Sequence, residues 1–101
     1  MRLEHYPVEK LKKEILESIG RHLDLSQYRV FFFGSRVAGK GTDRSDIDVG
    51  IEGKEPVPFI ILEDIKEDFE KIPTLYKIDI VDFCRVAPKF RVVALQKVES
   101  L

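Results

Sequence analysis

One cysteine, two histidines and no surplus of either charge rule out several kinds of protein. Cys84 has no partner for an internal disulfide and forms no metal cluster by itself, which suits a reducing compartment. With 17 basic against 18 acidic residues the net charge is −1. No global basic excess advertises nucleic acid, so direct nucleic-acid binding is not expected and any attraction for phosphate must be local. His5 and His22 belong to no ligand-spaced cluster and read as surface residues. No basic segment followed by a long apolar run opens the chain, and no apolar stretch approaches the ~18 residues of a membrane span. The expectation is a cytoplasmic protein with no membrane association. No repeat, low-complexity tract or linker divides the chain, so residues 1–101 are expected to form a single domain.

What is present suits a compact core. Hydrophobic residues make up 44% and charged residues 35%, a balance that argues for a folded domain and against disorder. At this length roughly two-thirds of the unfolded surface can be buried. Val8, Leu11, Ile15, Ile19 and Leu23 recur at helical spacing, with Pro7 at the entry, and predict a helix over about 8–22. Tyr28 to Phe33 is β-branched and aromatic and predicts a central strand. Ser35 to Ala38 suits a short helical turn, and Ser45 to Glu52 a second strand. A helix over about 59–71, a strand over about 76–83 and a last helix over about 87–99 complete the reading. The fold class is α/β (α+β), a small mixed sheet flanked by helices in the order α-β-α-β-α-β-α. Helices on one face would bury Ile47, Val49, Ile78 and Ile80.

The same alternation places chemistry on the other face. Asp46 and Asp48, two apart on a strand, point to one side, and Asp79 points to that side too. Asp82 alternates instead with the core residues. A hard cation such as Mg²⁺ binds one or two carboxylates and completes its shell with water and substrate phosphates. Before the pair stands Gly34-Ser35 at the end of an apolar run. Gly34 lets a backbone approach phosphate closely, Ser35 offers a hydroxyl, and the free N–H groups of a helical turn favour an anion. Arg36, Lys40 and Arg44 set three cations between this loop and the carboxylates. Each part has a plain structural alternative. An Asp-X-Asp pair can mark a solvated face, Gly-Ser can end a strand and cap a helix, and Arg44 can pair with Asp43 or Asp46 for little gain. Cys84 reads as a small packing residue, and Tyr6, Tyr28 and Tyr76 as packing residues before base-stacking ones.

Taken together, Phe33-Gly34-Ser35-Arg36, Ser45-Asp46-Ile47-Asp48-Val49 and Ile78-Asp79-Ile80-Val81-Asp82 resemble the signature of the polymerase β-like nucleotidyltransferase superfamily. In particular the chain is similar to the minimal nucleotidyltransferases. The resemblance implies ATP as substrate and two Mg²⁺ ions. It implies Asp46, Asp48 and Asp79 as metal ligands and catalytic residues, and Gly34 and Ser35 as the grip on the triphosphate, with Arg36, Lys40 and Arg44 beside them. Ala38 departs from the family pattern, which often carries a second arginine there, and Lys40 is the nearest point charge.

The resemblance further implies transfer of AMP to a hydroxyl, with a tyrosine of a HEPN-type helical partner protein as acceptor and an antitoxin role in a toxin–antitoxin pair. Two other expectations stand beside it. The chain could neutralise or assemble with such a partner by contact alone, through the apolar segment Val57-Pro58-Phe59-Ile60-Ile61, or serve as a structural subunit, as homodimer or heterocomplex.

Overall fold

Two amphipathic helices and one long mixed sheet account for most of the buried surface. The computed structural model describes residues 1–42 and 44–101; Asp43, named above as an ion-pair partner for Arg44, lies outside the described residues. The elements are α1 (Val8–Gly20), β1 (Arg29–Phe33), β2 (Ile47–Glu52), α2 (Phe59–Glu70), β3 (Ile78–Asp82), α3 (Pro88–Ala94) and β4 (Glu99–Ser100), with a short 3₁₀ turn at Leu25–Gln27. The strands lie in the order β3-β2-β1-β4. β1 runs antiparallel to β2 and β4, and β2 parallel to β3. Parallel neighbours need a crossover, which α2 supplies. No helix is long and apolar enough to cross a membrane among the described residues.

One face of the sheet is buried by α1 and α2. Leu11, Ile15 and Ile19, four residues apart, pack with Leu62, Ile65 and Phe69 onto Val30, Phe32, Ile47, Val49, Ile51 and Ile80. Fully burying one such aliphatic side chain contributes roughly 2 kcal/mol, so these stripes dominate whatever the helix caps add. His22, read from sequence as a surface residue, is half-buried at the end of α1, its Nε2 2.8 Å from Asp68 on α2. His5 is exposed and stacks on Tyr76.

The opposite face is not bare, as a one-sided helical cover would leave it. Phe31, Phe33 and Phe83 form a second core, covered by Val86, Ala94, Leu95 and Val98. The Phe31 and Phe83 rings meet edge-on, 4.9 Å between centroids. They do so above Gly50, where a Cβ would come within 2.4 Å of the Phe31 ring.

The largest difference from the sequence reading lies at the C-terminal end. The helix expected over 87–99 stops at Ala94, and Glu99–Ser100 pair with Phe32 and Phe31 as an edge strand. The free edge of β1 offers unpaired backbone groups, and a strand there satisfies them. Glu99 is also held by the Met1 ammonium and by Lys12, 3.3 Å away. The turn expected over 35–38 forms without growing into a helix, closed by Ala38 N–H donating to the Gly34 carbonyl at 3.0 Å.

Asp82 anchors the loop that leads into α2. It is 5% exposed and accepts from the amides of Val57 (2.7 Å) and Cys84 (2.9 Å), with Arg85 Nε at 3.4 Å. Asp82→Ala would strand the buried Val57 amide and unpair that of Cys84, while Arg85 keeps its bond to the Val57 carbonyl, so a loss of about 2 kcal/mol is expected in urea unfolding. Asp82→Asn, which keeps an acceptor, should lose less.

Candidate active site

The β2–β3 register sets the site. Asp48 and Asp79 are directly paired across the parallel strands, about 4.8 Å apart at their Cα atoms for neighbouring strands, with side chains on one face. Asp46 stands one residue before β2, on the same side by alternation. Asp48 also pairs with Phe33, the last residue of β1, so Gly34 begins beside it.

Gly34 adopts φ +84°, in the left-handed region. A Cβ there would stand 2.2 Å from Asp48 Oδ2. Only glycine lets the carboxylate lie against the backbone of the loop. Asp48 is half-buried beside the phenylalanine cluster. Its pKa is raised, first by burial, then by the negative charges of Asp79 and Asp46. Three oxygen donors of one sign, one of them partly desolvated, fit a hard divalent cation that would relieve the repulsion. Among the described residues no three carboxylate, imidazole or thiol side chains converge tightly enough to clasp one ion as they stand. Asp79 is half exposed, and its nearest cation is Lys77, 4.0 Å away.

The loop between β1 and β2 is closed by its own hydrogen bonds. The amides of Lys40 (2.9 Å) and Gly41 (3.0 Å) donate to the Ser35 carbonyl. Thr42 N–H donates to Ser45 Oγ at 2.9 Å, and Arg44 N–H to Thr42 Oγ1 at 3.3 Å. Among the described residues the amides of Ser35, Arg36 and Val37 meet no protein acceptor. They open the turn, and free N–H groups of this kind favour an anion.

The cations of this loop diverge. Lys40 is exposed on the wall of a cleft of about 460 Å³ that Gly34, Ser35, Ala38 and Asp48 also line. Arg44 is exposed and lies outside that lining. Arg36 turns away from the cleft. Its Nε donates to the Ser45 carbonyl at 2.8 Å and its guanidinium lies 4.8 Å from the Tyr76 ring centroid. Its Nη2 is buried without a partner among the described residues. Arg36 thus ties the start of the loop to the residue that precedes Asp46. Arg36→Ala is expected to leave the Asp48–Asp79 register intact yet loosen the loop, seen as faster hydrogen exchange over residues 36–42 with little change at Ile47 to Glu52.

The far wall of the cleft comes from α3 and the turn after it: Phe90, Val93, Gln96 and Lys97, over a floor of Phe33. The reading of the last helix over about 87–99 assigned neither Phe90 nor Lys97 a role at the site. The available signal was the surplus of apolar residues in Phe90-Arg91-Val92-Val93, more than one buried helix stripe uses.

The family described as "Polymerase beta, Nucleotidyltransferase" matches residues 13–101. The chain is 36% identical over 64 residues to the "Probable protein adenylyltransferase MntA" of Haemophilus influenzae, covering 63% of this chain and 56% of that protein. It therefore spans a little over half the length of this curated relative. Two solved structures superpose with a TM-score of 0.67, each over 88% of this chain and 70% of the other. One is a toxin–antitoxin with AMP-PNP, 16% identical; the other is a toxin–antitoxin MntA–HpeT mutant, 14% identical. At those identities the likeness is one of fold.

Proposed function

The chain belongs to the polymerase beta nucleotidyltransferase family, and from that premise we propose that it transfers AMP from ATP to a hydroxyl of an acceptor protein, with a tyrosine of a HEPN-type helical toxin as the acceptor. The observation that carries the reading is the pairing of Asp48 with Asp79 beside a glycine whose missing side chain leaves room for the carboxylate. The Haemophilus relative is named for protein adenylyl transfer, and the structural neighbours are toxin–antitoxin proteins, one with AMP-PNP.

In this reading Asp46, Asp48 and Asp79 would hold two Mg²⁺ ions. When bound, the ions neutralise phosphate charge and ease ionisation of the acceptor hydroxyl. Ser35 and the free amides of the turn hold the β- and γ-phosphates, and Lys40 adds a positive charge. The acceptor oxygen attacks the α-phosphorus, forming a P–O bond while the bond to the α–β bridging oxygen breaks and pyrophosphate leaves. Asp79 takes the hydroxyl proton. Positioning and charge matching supply most of the acceleration.

The test uses ATP labelled at the α-phosphate, Mg²⁺ and a purified HEPN-type helical protein. Label on a partner tyrosine, absent with Asp46→Asn, is the expected result. Tight Mg²⁺–ATP binding with no transfer to that partner would count against it. A contact-only reading has one observation in its favour: Phe59 and Ile60, at the start of α2, are 69% and 74% exposed although Val57 is buried. An Asp46→Asn/Asp48→Asn double variant that still neutralises the partner at equal concentration would support contact.

A further inference from the structure

The near wall of the cleft is short of positive charge for the ligand assigned to it. A nucleoside triphosphate brings about four negative charges near neutral pH, and two Mg²⁺ ions on three carboxylates would offset only about one of them. Arg36 is committed to the Ser45 carbonyl and the Tyr76 ring, Ala38 carries no charge, and Lys40 is the one cation on that wall among the described residues. Across the cleft, Lys97 sits in the turn that ends α3, on the same wall as Phe90 and Val93. Among the described residues neither Lys40 nor Lys97 makes an ion pair, a state they share with Lys10, Lys13, Lys54 and Lys89; what sets the two apart is that both line this cleft. An exposed lysine without a partner is ordinary on a surface. Two of them lining one cleft together with Gly34 and Ser35 are an anion site in the making.

We infer that Lys97 contacts the β- and γ-phosphates of the bound nucleotide from the α3 side, opposite Lys40, and so sets the preference for a triphosphate over a monophosphate. This rests on the reading that the cleft takes a nucleoside triphosphate. It also follows that the early end of α3 has a use: a helix continuing through position 97 would not form the turn that carries this lysine.

The test measures Kd for Mg²⁺–ATP and for AMP by calorimetric titration of the full chain. Lys97→Ala is expected to weaken ATP binding by about tenfold and AMP binding by less than about threefold, with the gap narrowing at high salt as screening grows. Lys97→Arg should retain the affinity. Ala38→Arg, which places a guanidinium on the opposite wall, should recover part of the loss in Lys97→Ala. Lys89→Ala, on α3 but outside the cleft, should bind as the unaltered protein does. Unchanged ATP affinity in Lys97→Ala, while the unaltered protein binds ATP, overturns the inference and leaves the proposed function standing. Equal losses for ATP and AMP also overturn it, because they place the effect on the nucleoside or on folding. Failure of the unaltered protein to bind any nucleoside triphosphate overturns both.

Discussion

Asp48→Asn is expected to abolish nucleotidyl transfer while making the metal-free protein more resistant to heat. The activity loss follows from the place of the residue. Asp48 is central among the three carboxylates, paired with Asp79 across the strands and two residues from Asp46. An amide is a poorer ligand for a hard cation and carries no charge to balance it. Removing a group of this kind from a phosphoryl-transfer site forfeits several kcal/mol of transition-state stabilisation, a fall in rate on the order of 10³-fold or more. Transfer of α-phosphate label, followed in single turnover, measures it.

The stability gain follows from the same crowding. Burial and the charges of Asp79 and Asp46 raise the Asp48 pKa in the folded chain. The native state therefore holds the Asp48 proton more tightly than the unfolded chain does. Below the ordinary carboxylate pKa both states are protonated and the ionisation penalty vanishes. As pH rises through the folded pKa the native carboxylate must ionise against its neighbours, and that part of the stability is lost. Asn never ionises. Melting curves of the two proteins should thus differ most near pH 7, with the variant higher, and converge toward pH 4 and below. Added Mg²⁺ should lift the melting temperature of the unaltered protein and leave the variant nearly unmoved. A variant that melts lower at neutral pH would mean that the carboxylate mainly makes structural hydrogen bonds.

The strand pattern was readable because its cause is local. A period of two in Asp46-Ile47-Asp48-Val49 decides which side chains face the helices, and Ile47 and Val49 are buried while Asp48 is not. The same argument separated Asp79 from Asp82, and Asp82 is buried among the loop amides it holds. What escaped the sequence depends on distant partners. Whether Val98 to Leu101 continues a helix or turns into a strand is settled by the open edge of β1, more than sixty residues earlier. Arg36 looks like a phosphate ligand from its place after Gly34-Ser35. It points elsewhere because the Ser45 carbonyl and the Tyr76 ring are close, and neither closeness has a local signature. The second core has the same origin. Phe31 and Phe33 read as a central strand with two apolar faces, but Gly50 and Phe83, which they meet, lie on two other strands and their ends.

Gly34→Ala is expected to disable the site from the backbone side. Two separate costs fall on that substitution. At φ +84° an L-residue takes the left-handed conformation, at about 1 kcal/mol. The added Cβ would also stand 2.2 Å from Asp48 Oδ2 and 3.2 Å from its Cγ, so either the loop or the carboxylate must move. Either movement separates the phosphate-facing amides from the metal-facing oxygens. The expected result is a loss of Mg²⁺–ATP affinity of tenfold or more and, since small displacements of reacting groups are costly, a further ~10²-fold in transfer. Gly39 provides the reference. It also has positive φ, +77°, but among the described residues no atom lies within 4 Å of where its Cβ would be. Gly39→Ala should therefore show the conformational cost alone, about 1 kcal/mol in urea unfolding, with far smaller effects on catalysis. The excess cost of Gly34→Ala belongs to the Asp48 contact, and a double-mutant cycle isolates it. In an Asp48→Ala background the offending oxygen and Cγ are gone, and the remaining Cβ of residue 48 would be 3.4 Å away, an ordinary contact. There the stability cost of Gly34→Ala should fall to that of Gly39→Ala. A cost that stays high without the Asp48 carboxylate would locate the strain in the loop itself.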